Sequence, residues 1–196
     1  MKDILLAIFF VLILIPIFHF FSNIAPNIYS TTFFFLIMVP TLMTLINGAP
    51  FVPTPMEAVR KMIKLAKIKK GDVVYDIGCG DGRMVYVAAN EYGARATGLE
   101  LSPLVYTFAR IRKLLWRSKA KILFRNFKTQ NLRDADVIVC YLMPETLEKL
   151  RPKLETELKP GAMVVSYAFR MASWKETHQE PKDAAKNISP IWIYKR

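Results

Sequence analysis

Two long stretches near the head of the chain carry no charge, and almost everything after them does. Residues 4–21 (ILLAIFFVLILIPIFHFF) and 28–46 (IYSTTFFFLIMVPTLMTLI) contain no Lys, Arg, Asp or Glu. As helices rising about 1.5 Å per residue, they reach roughly 27 to 29 Å, near the thickness of a bilayer's hydrocarbon core. Pro16 and Pro40 are compatible with lipid-embedded helices, and residues 22–27, with Asn23, Pro26 and Asn27, read as a tight hairpin. The first stretch is too long for a signal-peptide core, and no A-x-A-like site follows it. The pattern predicts a membrane anchor of two spans within residues 1–47. Basic residues crowd the far side of the second span and are nearly absent from the hairpin, so the remaining domain, 48–196, is expected to face the cytoplasm.

Beyond the anchor the apolar rhythm changes to short runs alternating with helical spacings. Thr54, Pro55 and Glu57 have the chemistry of a helix start, with Thr54 as cap, and that helix is expected to run to about Lys69. Val73-Val74-Tyr75-Asp76-Ile77 reads as a buried strand. A helix over 83–92, stopped at Gly93, and a strand over 94–100 follow. Ser102 and Pro103 open a helix in which Leu104, Phe108, Ile111 and Leu115 line one face. Strands are expected over 121–124 and 136–141. A helix after Pro144 carries Leu147, Leu150, Leu154 and Leu158, bent at Pro152. Pro160-Gly161 then turns the chain into a strand over 162–169. Residues 191–194 (IWIY) read as a last strand, and whether 174–179 supplies its partner stays open. Such alternation predicts a doubly wound, mainly parallel α/β sheet with helices on both faces.

Charge narrows the partners. The formal net charge is +12 over 196 residues. Nine lysines and arginines, and no acidic residue, lie between Leu101 and Arg133. With an anchor already expected, the membrane lipid bilayer is the economical anionic neighbour. No nucleic-acid-binding module is recognisable, so no nucleic acid is expected. Two cysteines without extracellular spacing suggest reduced thiols.

The chemistry concentrates where the first strand turns into a helix. Gly78, Gly80 and Gly82 let the backbone bend and approach a nucleotide-like ligand. Asp76 ends the strand and can engage an ammonium; Glu100 ends the next strand and can accept hydrogen bonds from ribose hydroxyls. The third glycine comes one residue earlier than in G-x-G-x-x-G and Arg83 takes its place, which disfavours a nicotinamide or flavin enzyme. Cys79 belongs to the loop as a small filler rather than a nucleophile. No metal site is expected, and His19 and His178 read as structural or incidental.

The run VVYDIGCGDGRMVYVAANEYGARATGLELSP resembles motif I, its helix and the acidic strand end of class I S-adenosylmethionine-dependent methyltransferases, whose sheet is Rossmann-like. FVPTP, DIGCGDGR, GLELSP, RPKLETELKPGAMVVSYAF with Trp174 beyond it, and IWIY are similar to a narrower group. That group contains the lysine methyltransferases of the mitochondrial ATP synthase c subunit and the adenine nucleotide translocase, with bacterial relatives. The resemblance implies S-adenosyl-L-methionine as cofactor, bound by Asp76, Gly78, Cys79, Gly80, Gly82 and Glu100. Asn126 stands where the superfamily often has an adenine-binding aspartate; it either accepts that hydrogen bond or is an ordinary loop asparagine, and Phe127 is placed to flank the ring. Tyr141 either walls an acceptor pocket or merely packs at a strand end. A neutral lysine amine needs no dedicated base if an apolar pocket lowers its pKa. The leading expectation is therefore a membrane-anchored protein-lysine N-methyltransferase acting on a membrane protein. A lipid or quinone methyltransferase and a non-catalytic scaffold are the alternatives.

Overall fold

The computed structural model describes residues 51–196 together with His19, Asn23, Thr31, Thr32 and Phe35. Residues 1–50 and 51–196 form separate compact units. The second opens with helix α1 (Met56–Leu65) and strand β1 (Val73–Ile77). Helix α2 (Arg83–Tyr86) runs on into a π-turn at Val87–Glu91 and leads to β2 (Arg95–Glu100). Helix α3 (Pro103–Leu115), β3 (Lys121–Phe124) and a 3-10 turn at Phe127–Thr129 follow. The rest comprises β4 (Val137–Cys140), α4 (Pro144–Glu157), β5 (Met163–Tyr167), β6 (His178–Glu180) and β7 (Ile191–Lys195).

The strands form a seven-stranded sheet in the order β3-β2-β1-β4-β5-β7-β6. β1 to β5 pair in parallel, and β7 runs antiparallel to both its neighbours. Chain order reverses between β1 and β4, and the crevice beyond the carboxyl ends of strands at such a switch point is where open α/β sheets take ligands. Alternation along the strands sorts two cores. Val74, Val139 and Val165 pack with Met62 of α1 and Val85 of α2 on one face, while Ile77, Ile138 and Val164 pack with Leu147, Leu150 and Leu154 of α4 on the other.

The expected two-span membrane location, with a catalytic domain facing the cytoplasm, is corrected. Among the described residues no helix is long and apolar enough to cross a membrane. The longest, α4, has 14 residues, about 21 Å of rise, and carries charge on every turn. The two stretches 4–21 and 28–46 lie outside the described residues, His19, Thr31, Thr32 and Phe35 excepted.

Several local expectations shift for identifiable reasons. Thr54 does not cap α1; the N-cap is Pro55, and the buried Thr54 gives its carbonyl oxygen to the Arg83 guanidinium instead. α1 stops at Leu65 because Lys67 turns left-handed, at φ 51°. β5 ends at Tyr167 because Ala168, at φ 67°, breaks the extended run. Within 174–179, only His178 and Gln179 join the sheet, in β6. The stripe of Leu104, Phe108, Ile111 and Leu115 does share a face of α3, but that face is turned to solvent.

Candidate functional site

β1 delivers Asp76 in register with Gly98 of β2 and Val139 of β4, in the middle of the sheet at the switch point. The chain must then leave the strand within a few residues. Gly78 and Cys79 N–H groups both donate to the Leu99 carbonyl at 3.0 Å, folding the loop back onto β2. Gly80 has φ +56°, and a Cβ there would stand 2.7 Å from the Phe51 ring. A left-handed backbone and a close aromatic neighbour both require glycine at this position. Gly98, unremarked in the sequence, is required for another reason: a Cβ would meet Cys79 Sγ at 2.7 Å. Glycine inside a strand was the available signal, since it often marks close approach. Cys79 is thus a buried filler; burial pushes its thiol well above its ordinary value, which disqualifies it as a nucleophile.

Three carboxylates converge around this turn. Asp76 is 2% exposed, and burial first, then the neighbouring Glu100 and Asp81 charges, push its carboxyl well above the ordinary range. Glu100 is held from three sides: its Oε1 accepts from Leu101 N (2.9 Å) and Ser102 N (2.8 Å), and its Oε2 from Gly80 N (3.0 Å). Burial raises the Glu100 carboxyl, and these N–H groups partly oppose the rise. A carboxylate offers about four lone-pair sites, so a fixed acceptor position remains for a ligand hydroxyl. Asp81 is neutralised by Arg83 and by Arg112 from α3. A buried Asp76, raised by desolvation and by the Glu100 charge, and a half-buried Glu100, raised by desolvation alone, form a site that a cationic ligand with hydroxyl groups would complement.

The other sequence candidates divide. Phe124 pairs with Glu100 across β3 and β2, and Arg125 N donates to the Glu100 carbonyl at 3.0 Å, so the loop bearing Asn126 and Phe127 begins beside Glu100. The Asn126 Oδ1 caps the 3-10 turn by accepting from Lys128 N at 2.9 Å. Phe127 is half-buried and packs against the α4-side core. Tyr141 follows Cys140, which pairs with Ile77, and Leu142 lies 3.1 Å from where a Gly78 Cβ would be, so the exit of β4 abuts the glycine turn.

At Tyr141 the structure gathers two residues that sequence reading missed. Its ring meets Tyr167 edge-on at 5.1 Å and stacks near Phe169 at 6.2 Å. Ala168 turns left-handed between them, and the Ser166 hydroxyl donates to the Phe169 carbonyl at 2.7 Å, folding Phe169 back. Burial, with Tyr167 adding to it, raises the Tyr141 hydroxyl, so Tyr141 stays uncharged at physiological pH. Tyr167 and Phe169 lie far from Tyr141 in sequence and meet it only because β4 and β5 are neighbours.

Residues 76–178 match the family described as the ANTKMT methyltransferase domain. A protein-lysine N-methyltransferase of Saccharolobus islandicus is 37% identical over 147 residues, covering 74% of this chain and 88% of that protein. The mouse lysine N-methyltransferase of the ATP synthase c subunit is 32% identical over 74% of this chain; the chain spans only 57% of its length. Among solved structures, an RNA methyltransferase from Salinibacter ruber in complex with S-adenosyl-L-homocysteine is 32% identical with a TM-score of 0.69, over 74% of this chain and 93% of that one.

Proposed function

The chain belongs to the ANTKMT methyltransferase-domain family and is an S-adenosyl-L-methionine-dependent methyltransferase; from that premise we propose that its acceptor is a lysine side chain of a protein. The observation that carries the proposal is the aromatic corner of Tyr141, Tyr167 and Phe169, standing at the exit of β4 beside the glycine turn.

In this reading Asp76 receives the ammonium of the cofactor and Glu100, locked by its three N–H donors, receives the ribose. Gly78, Cys79, Gly80 and Gly82 provide the close-packed floor, and Asn126 and Phe127 border the base. When bound, S-adenosyl-L-methionine supplies a methyl group activated by its sulfonium. The chain's own task is then to present a neutral amine in line and to exclude water. An aromatic corner serves that task by desolvation, which lowers a lysine's pKa and releases its proton to solvent before transfer. The finer proposal is a membrane-protein acceptor. The ATP synthase c subunit, for which the mouse relative is named, is the first protein to assay.

A nucleic-acid acceptor is the second reading, favoured by the likeness to an RNA methyltransferase and by the basic run from Arg110 to Arg133, which contains no acidic residue. Incubating the full chain with radiolabelled cofactor and, separately, the ATP synthase c subunit, total RNA and extracted lipid distinguishes them. Methyl-lysine in the protein hydrolysate is the expected outcome. Label in RNA or lipid alone would replace the lysine proposal. With a working protein acceptor, Tyr141→Ala should lower kcat by about one to two orders of magnitude while cofactor affinity holds. Tyr141→Phe should keep most of the activity, because the ring rather than the hydroxyl forms the wall.

A further inference from the structure

Helix α3 is built inside out. Its charged Arg112 points inward to Asp81 and lies against the rings of Trp116 (4.3 Å) and Phe108 (5.4 Å). Only Ala109 of the helix is fully buried. Leu104, Phe108, Ile111, Leu114 and Leu115 are instead 47% to 77% exposed. From Leu104 to Leu115 the stripe is about 16 Å long. Phe124 of β3 is also 52% exposed, and its ring meets Tyr106 on another face of α3 at 5.5 Å. The helix is not loosely attached: Ser102 caps it, and Arg112 ties it to the glycine turn. A contiguous, rigidly held apolar surface of this kind marks an interaction site.

We propose that this face docks the acceptor protein, through an apolar segment of that protein that carries carboxylates; the proposal rests on the lysine reading above. Three observations select this occupant. Charge comes first: α3, β3 and the segments that follow them carry Arg110, Lys113, Arg117, Lys121 and Arg125, and no acidic residue occurs from Leu101 to Arg133 to compensate them. A complementary partner is therefore acidic. The strand edge comes second. β3 is the last strand on this side of the sheet, and an open edge presents backbone groups that a protein or water can satisfy and hydrocarbon cannot. That favours a polypeptide over a lipid surface. Position comes third: the exposed Leu101 and Leu104 follow directly on Glu100, so a segment lying along α3 reaches the sheet end that carries the glycine turn.

The test uses the full chain and three synthetic lysine peptides: one with an amphipathic Leu/Glu repeat, one with Arg in place of each Glu, and one lacking the repeat. The Leu/Glu peptide should show a KM about tenfold below both others. Ile111→Glu combined with Leu115→Glu should abolish that advantage without changing kcat or S-adenosylhomocysteine affinity. Equal KM values for the three peptides, or an advantage that survives the double substitution, would overturn the docking proposal while leaving lysine methylation standing. It is overturned equally if the double variant changes only sedimentation with phosphatidylglycerol vesicles, which assigns the face to lipid, or only dissociates a dimer, which assigns it to a second copy. If the wild-type chain methylates no lysine in any peptide or in the ATP synthase c subunit, the acceptor reading fails and takes the docking proposal with it.

Discussion

Asp76 shows how the role proposed for it in cofactor binding is set against the stability of the fold that holds it. Its carboxyl is almost wholly buried and is raised by desolvation and by the Glu100 and Asp81 charges. The folded chain therefore keeps a proton there to higher pH than the unfolded chain does. Stability from this group is full below the ordinary carboxylate pKa of about 3.9 and is lost as pH rises through the raised folded value. Asp76→Asn removes the titration, so the variant should be the more stable protein at neutral pH, by on the order of 1 to 3 kcal/mol. In a protein of this size that is a rise in Tm of roughly 2 to 12 °C. The gain should shrink toward pH 4 and below, where wild type is protonated in both states. Calorimetry across pH checks the sign, and titration with S-adenosylmethionine should show the cost, an affinity at least about tenfold weaker for loss of a charged partner. A variant less stable than wild type at pH 7 would contradict the burial argument.

Helix α3 depends on one ion pair in a way that its sequence does not reveal. With a single buried side chain and its leucines turned outward, its attachment leans on Arg112, whose guanidinium meets the 2%-exposed Asp81 carboxylate and stacks on Trp116. Arg112→Met keeps the stem but removes the charge, and Arg83 remains to neutralise Asp81. A loss of about 1 to 3 kcal/mol is expected, read as a lower urea midpoint at unchanged m-value. Arg112→Lys should recover only part of it, since an ammonium neither stacks nor bonds as a planar fork. This inversion is invisible to periodicity, which says which residues share a face and not what covers that face. Sequence did predict β1, the glycine turn, Glu100 at the end of β2 and the Ser102 cap of α3, because each rests on neighbours in the chain. Thr54 looked like a cap, but the Arg83 guanidinium competes for its backbone from 29 residues away. The aromatic corner was half legible for the same reason: Tyr141 ends a readable strand, whereas Tyr167 and Phe169 reach it only through strand order.

The whole sheet is closed by the last strand in the chain. β7 lies between β5 and β6, so residues 191–195 are interior to the sheet and not an appended edge. Ile191, Ile193 and Tyr194 are buried, and the Tyr194 hydroxyl accepts a hydrogen bond from Met171 N at 2.7 Å while its ring lies 5.5 Å from Trp174. Burying three such side chains is worth about 1.5 to 3 kcal/mol each. That is comparable with the whole stability of a domain, about 5 to 15 kcal/mol. A chain ending at Pro190 should therefore show no cooperative thermal transition, having lost β7, the partner of β6 and the covering of β5 together. A chain lacking Arg196 alone gives up chiefly the backbone pair that residue makes with Gly161 and Ala162, and should melt cooperatively within a few degrees of wild type. Near-ultraviolet circular dichroism on heating separates the two cases. Because β5 also delivers Tyr167 and Phe169 to the Tyr141 corner, any partially folded form of the shorter chain should lose methyl transfer before it loses helical signal. Retained transfer in a chain ending at Pro190 would mean that the proposed acceptor corner is organised without β7, against the sheet order described above.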